Sequence, residues 1–117
     1  TELKLIRAES AAETNSNLTV GIGDMNDIIN RAYGPGSTFA LPVGTTAATL
    51  KTAARREREL ELVGEGNRLQ ELKREGAKGE NVSIRGAVYN CPGLIFPFPT
   101  NEVNYNGFAQ NPIGGCN

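Results

Sequence analysis

Apolar residues recur at helical spacing through the first half of the chain. No Gly or Pro interrupts residues 2–14, where Leu5, Ala8 and Ala12 fall on one stripe. A polar break at residues 15–17 supplies capping side chains. A second, clearer stripe then follows the i, i+3, i+4, i+7, i+8 pattern of an amphipathic helix. The members of that stripe are Met25, Ile28, Ile29, Ala32 and Tyr33. The pattern predicts two helices joined by a short polar turn.

The sequence marks the end of the second predicted helix more clearly than its start. Gly21 and Gly23 disfavour helix, yet the apolar stripe continues through them, so the start is ambiguous. Residues 34–36 read Gly-Pro-Gly and end the helix. The loop that follows, residues 34–45, is expected to be anchored on the core by Phe39, Leu41 and Val43.

A third helix is predicted from a threonine cap, Thr45 or Thr46, to about residue 63. Gly64 and Gly66 interrupt or kink it, and a short helix resumes over residues 67–75. The inward stripe of the third helix is expected to consist of Leu50, Ala54 and Leu60, with Ala53 and Glu57 between them.

The remainder of the chain is rich in Gly, Asn and Pro and predicts an irregular tail over residues 77–117. Two short extended runs, 82–84 and 94–96, are candidates for pairing as a β-hairpin. The fold class is therefore mainly α. We expect about three helices of a TPR-like α-α superhelix over residues 1–76, forming the last repeat unit of a scaffold. Such repeats need about three units to bury a continuous core, so a larger parent protein is expected.

Composition excludes several functional classes. The 117 residues carry 12 basic and 13 acidic side chains, which leaves no basic field to gather nucleic acid. No window approaches the ~18 apolar residues of a transmembrane helix. Histidine is absent, which excludes Ser-His-Asp and Cys-His catalysis and His-ligated metals. No metal site and no cofactor are predicted.

The charged segment of residues 56–74 carries the most specific motif in the chain. It joins a charged helix with a thin apolar stripe to a Glu-Gly step and a second short helical run. This order resembles the C-terminal helix signature of the SusD/RagB family. Glu59, Gly64 and the pair 69–70 depart from that signature, which usually has Arg, Phe and two aromatics there. The signature residues that match and are assigned a structural role are Glu57, Arg58, Glu61, Glu65, Gly66 and Arg68.

A second motif lies in the tail. Residues 94–104 read LIFPFPTNEVN, and Gln110-Asn111-Pro112 follows them. This is similar to the ending of the same family, in which a PIP-x-x-E segment precedes QNP. The segment around Asn26 to Ala32 also resembles the last repeat unit of the family. The resemblance therefore covers nearly the whole chain, with its parts in the right order.

The resemblance implies a function that composition alone does not give. Members are surface lipoproteins that bind oligosaccharides without cleaving them and pass them to a SusC-type TonB-dependent transporter. We therefore expect a glycan-binding component at the surface of the outer membrane, with no enzymatic activity. Because the chain starts at Thr1 without a lipidated cysteine, the lipid anchor and the N-terminal remainder of the parent are expected outside this chain. The remainder is itself an expected partner.

Cys91 and Cys116 are the only cysteines, and neither belongs to a CxxC motif. In an exported protein such a pair is expected to form one disulfide, closing a loop of about 25 residues. Two free thiols are the alternative.

Two other functions compete with glycan binding. A helical-repeat module that binds peptides is one alternative. A small glycoside hydrolase using Glu57 and Glu61 is the other, since these carboxyls and Glu65 recur every four residues. We favour a structural carboxylate row, paired with arginines such as Arg55, Arg58 and Arg68. No carbohydrate-contacting residue is assigned. The tail aromatics are expected to be anchors more often than sugar platforms; they are Tyr89, Phe96, Phe98, Tyr105 and Phe108.

Overall fold

The computed structural model describes residues 1–111, 114 and 116, and it divides the chain into two compact units. The first unit is Thr1–Gly66, and the second begins at Asn67. Pro112 of the QNP motif lies outside the described residues. Helix predominates among the described residues, with one two-stranded antiparallel sheet, so the mainly α class with a short hairpin is confirmed. The superhelical repeat arrangement stays a prediction.

Three helices build the first unit: α1 (Glu2–Glu13), α2 (Leu18–Tyr33) and α3 (Ala47–Glu61). Helix α1 packs against both of the others, and α2 also contacts α3. The predicted order of three helices is confirmed. Their apolar stripes meet in one buried core because each helix has only one apolar face to bury. That core consists of Leu5, Ala8, Ala12, Ile22, Met25, Ile28, Ile29, Leu50 and Ala54.

The start of α2 at Leu18 is decided by close packing around Gly21. A Cβ at this position would lie 2.9 Å from Leu50 Cδ2, 3.2 Å from Ala11 Cβ and 3.3 Å from Ala8 Cα. Glycine therefore lets three helices approach at one point, which offsets its low helix propensity. Helix α2 ends at Tyr33 and is followed by Gly34, whose positive φ of 92° favours glycine.

Helix α3 begins as predicted and ends earlier. The Thr46 side chain caps it by accepting a hydrogen bond from the Thr49 N–H at 3.2 Å. The helix ends at Glu61, before Gly64 and Gly66, whose φ values of 82° and 77° are left-handed. The prediction that Leu60 points inward is wrong: Leu60 is exposed, and the buried positions of α3 are Leu50, Ala54, Glu57 and Arg58.

The loop between α2 and α3 is held by one side chain. The Asn26 amide donates to the Leu41 carbonyl at 2.9 Å, and its oxygen accepts the Leu41 N–H at 2.7 Å. Leu41 packs on the core, as predicted. The expected anchor Val43 is exposed, as is Ala32 at the end of the α2 stripe. The loop therefore has a single apolar anchor, fixed by backbone pairing to Asn26.

Ion pairs to two buried carboxylates join α1 to the other two helices. Glu9 is buried and accepts from Arg55 at 3.2 Å, with Arg58 at 3.5 Å on its other oxygen. On the α2 side, Arg7 donates two hydrogen bonds to buried Asp24, at 2.5 and 2.6 Å. These bonds hold the pKa of the Asp24 carboxyl below its usual value.

The second unit holds α4 (Arg68–Ala77), β1 (Ser83–Ile84), β2 (Ala87–Val88) and α5 (Thr100–Asn106). The predicted pairing of 82–84 with 94–96 is wrong. Instead β1 pairs with β2 through the two-residue turn Arg85-Gly86, whose φ values of 52° and 88° suit a tight hairpin. Residues 92–94 form a single 3₁₀ turn. Helix α4 contacts β1, and the compact units divide after Gly66. The predicted boundary of the scaffold at residue 76 stays a prediction.

Side-chain amides organise the tail. Gln110 Oε1 accepts the Phe98 N–H at 2.8 Å, and its amide nitrogen donates to the Phe98 carbonyl at 3.0 Å. Asn111 donates to the Phe96 carbonyl at 2.8 Å. The two tail motifs are therefore bound to each other. Helix α5 corrects the expectation of a wholly irregular tail. None of the described residues forms a helix long and apolar enough to cross a membrane.

The Glu9→Gln substitution is expected to destabilise the protein by about 3 kcal/mol, because it leaves buried Arg58 without its full counter-charge. Urea unfolding measures the change. The matched control is Glu2→Gln, an exposed glutamate on the same helix, which should change stability by less than about 0.5 kcal/mol. Equal effects of the two variants would contradict a structural role for the buried pair.

The structure joins Cys91 to Cys116 with their Cα atoms 5.3 Å apart. We therefore expect no reactive thiol in the unfolded, unreduced protein, and two thiols after reduction. Thiol titration in denaturant provides the measurement. Two thiols before reduction would refute the disulfide.

Candidate functional site

A concave feature of the first unit lies between α2, the loop after it, and α3. Its volume is about 460 Å³, within the range of small-molecule sites. We call it the α2–α3 pocket. It is lined by Ile29, Tyr33, Phe39, Leu41, Ala48, Thr49, Thr52, Ala53, Arg56 and Glu57.

Helical spacing and the anchored loop bring these residues together. Ile29 and Tyr33 are one turn apart on α2, and the α3 lining residues recur every three to four positions. Gly34 and Gly36, both with positive φ, reverse the chain after α2 so that Phe39 returns toward Tyr33. The Asn26–Leu41 pairing then fixes the loop against the core.

Two aromatic rings form one wall of the pocket. The ring centroids of Tyr33 and Phe39 are 4.8 Å apart, with their planes at 44°. Both rings are about half exposed, unlike the apolar residues of the core. Sequence analysis placed Tyr33 in the core stripe and Phe39 among the loop anchors; the structure places both at the pocket. The sequence feature that could have indicated this placement is the position of the two aromatic residues on either side of the Gly-Pro-Gly turn.

Glu57 supplies the most unusual polar group of the pocket. Its side chain is buried, with 8% of the residue exposed. Within the described part of the chain, no hydrogen bond or ion pair reaches its carboxylate. Burial raises the pKa of Glu57, and the neighbouring Glu61 raises it further, while Arg56 acts in the opposite direction. The pocket therefore holds a largely buried carboxylate to which no described protein group donates a hydrogen bond.

Threonine and arginine side chains complete the polar lining. The Thr52 hydroxyl donates to the Ala48 carbonyl at 3.1 Å, which leaves its oxygen lone pairs to accept. Arg56 is exposed and adds guanidinium donors. Acceptors and donors thus stand beside an aromatic wall. Among the described residues, no group of acidic or cysteine side chains could hold a metal ion.

The signature residues occupy different environments. Glu57 lines the pocket, while Arg58 joins α3 to Glu9. Glu61 forms an ion pair with Arg31 of α2. The expected carboxylate row along one helix face is wrong for Glu65: it follows the end of α3 and is exposed. The helix ends first because left-handed Gly64 and Gly66 break it.

The last signature residues mark a change of element. Gly66 ends the first unit, and exposed Arg68 begins α4. Arg55 and Arg58, expected as partners of the glutamate row, pair with Glu9 on α1. The structure therefore divides the signature between helix packing, helix termination and the pocket.

The geometry gives little support to glycoside hydrolysis by Glu57 and Glu61. Both carboxyls come from one helix, one turn apart, whereas hydrolysis requires two carboxyls that flank the scissile bond. Glu61 is also engaged by Arg31. The raised pKa of Glu57 follows from burial and like charge and needs no catalytic role.

The tail aromatics divide into two groups. Phe98 and Phe108 stack with centroids 5.5 Å apart, and the Tyr89 ring occupies the space that a Cβ on Gly76 would need. Tyr89, Phe98 and Phe108 therefore make these contacts within the second unit. Phe96 and Tyr105 are almost fully exposed, so the expectation that they anchor the tail is wrong for them.

Comparison with known proteins identifies one family. A family model described as the SusD family matches residues 1–111. The match covers all three helices of the first unit and both tail motifs as far as Asn111, so the family resemblance stated from the sequence is confirmed. No curated protein and no solved structure gives a significant match.

The Glu57→Gln substitution is expected to raise the melting temperature at about pH 7 and to change it less at about pH 4. The folded-state pKa of Glu57 is raised above its unfolded value, so the folded state retains the proton longer. Stability is therefore lost as pH rises from the unfolded pKa through the folded one, and the amide avoids that loss.

Thermal unfolding of both proteins across this pH range is the measurement. Glu59→Gln, an exposed glutamate on the same helix, is the matched control. An advantage of Glu57→Gln that stayed constant with pH, or grew on acidification, would show that Glu57 ionises without cost in the folded state.

Proposed function

The chain belongs to the SusD family, and from that premise we propose that it is the C-terminal scaffold of a cell-surface protein that binds oligosaccharides for nutrient uptake. The observation that carries this proposal is the family match over residues 1–111. It covers the charged signature helix and the tail together. At the level of the family, glycan binding in nutrient uptake is established, and members are generally not enzymes.

The proposed partners follow from the same premise. Oligosaccharide is the ligand, and a SusC-type TonB-dependent transporter receives it. The protein would be attached to the outer membrane by a lipid anchor carried on another part of the parent protein. Near-zero net charge agrees with a neutral ligand and with the absence of nucleic-acid binding.

Exposed apolar residues on the first unit support a further proposed partner, the remainder of the parent protein. Leu3 and Ile6 on α1 are exposed, as are Leu60 and Val63 around the end of α3. Exposed apolar side chains near one another are typical of covered surfaces. Leu50 and Leu62 are buried and do not contribute to this surface. We propose that preceding helical repeats cover it.

Oligosaccharide binding by the parent protein tests the proposal directly, because the main sugar site is expected outside this chain. Isothermal titration with maltohexaose, cellohexaose, xylohexaose and mannohexaose should reveal binding to at least one of them. A reducing-end assay on the same mixtures should show no cleavage. Binding of helical peptides with no binding of any sugar would instead favour an interaction module. Cleavage that Glu61→Gln abolishes would establish the hydrolase.

A further inference from the structure

We propose that the α2–α3 pocket is a subsite for one neutral pyranose ring, with Glu57 accepting hydrogen bonds from its hydroxyls and Tyr33 and Phe39 contacting its apolar face. The assignment rests on the proposed function, since it names the surface of this chain that contacts the oligosaccharide. It adds a contact within the scaffold, whereas the family resemblance points to loops elsewhere for the main sugar site.

Glu57 is the first part of the argument. The Glu57 carboxylate lines the pocket and has no protein donor among the described residues, so a ligand hydroxyl can donate to it without displacing a protein group. Sugar hydroxyls donate and accept at once, and the pocket offers both functions: Thr52 oxygen accepts, and Arg56 donates. A single pyranose ring presents several hydroxyls in fixed directions. The lining therefore matches a polyol better than a purely apolar ligand.

The aromatic wall is the second part. Tyr33 and Phe39 present half-exposed ring surface at a concave site, where burial against a ligand removes apolar area from water. The negative face of an aromatic ring also attracts the weakly positive C–H groups of a sugar ring. The wall and the carboxylate thus contact opposite chemical features of one pyranose.

Charge decides against other ligand classes. A uronic acid or phosphate would place another anion beside Glu57, whose pKa is already raised by Glu61. A metal ion needs several oxygen ligands, and the described residues provide no such group. The volume of about 460 Å³ has room for a sugar ring. Charge and volume together favour a neutral sugar residue as the occupant.

The test is an NMR titration of the isotopically labelled whole chain with the four neutral hexasaccharides, alongside a galacturonic acid oligomer and chitosan hexamer. Amide shifts should concentrate in residues 29–57 for the neutral sugar that binds. Glu57→Gln and Phe39→Ala should each weaken that binding about tenfold. Glu59→Gln and Tyr105→Ala, at exposed positions outside the pocket, should change it less than about twofold.

Each other outcome has a definite meaning. Binding with shifts elsewhere and no effect of the pocket variants overturns the subsite while leaving the proposed function intact. Tighter binding of the acidic or the amino sugar overturns the assignment to a neutral ring. Absence of binding by every sugar overturns the subsite and leaves the proposed scaffold role intact, because the main sugar site is expected elsewhere in the parent protein. Melting curves of each variant separate loss of binding from unfolding, and Phe39→Ala should fold because Phe39 is exposed.

Discussion

The ion pairs of buried Glu9 with Arg55 and Arg58 are the interaction on which the first unit depends. They join the first helix to the third. Replacing such pairs with apolar residues is often neutral for stability, whereas removal of one partner leaves a buried charge without its full counter-charge and is costly. With α3 fixed against α1, its adjacent face is presented to α2 and forms the pocket.

The signature segment thus has two structural effects in neighbouring residues. Arg58 faces α1, while Glu57 faces the pocket, because successive helical residues point about 100° apart. The same helix therefore contributes to helix packing and to the lining of the pocket. A segment that packs against α1 thus also supplies a pocket carboxylate without a protein donor among the described residues. Gly64 and Gly66, both with positive φ, follow α3 and prevent the helix from continuing.

The second unit follows a different principle, because few of its described apolar side chains are buried and its backbone groups must still be paired. Side-chain amides of Gln110 and Asn111 satisfy backbone groups at Phe98 and Phe96, as regular secondary structure does elsewhere. The Arg85-Gly86 turn and the Cys91–Cys116 disulfide add local constraints. Polar pairing and covalent closure thus take the place of a large core.

Sequence by itself determined the family, the mainly α class, and the order of the helices, because motif order and helical periodicity are properties of neighbouring residues. Tertiary structure alone decided the rest. Gly21 is helical because Leu50 and Ala11 approach it closely, and Leu60 is exposed because Glu57 and Arg58 take the inward positions. The hairpin was misplaced because a two-residue turn outweighed extended propensity. Tyr33 and Phe39 form a pocket wall only when the loop returns across α2. The local sequence pattern does not encode that tertiary contact.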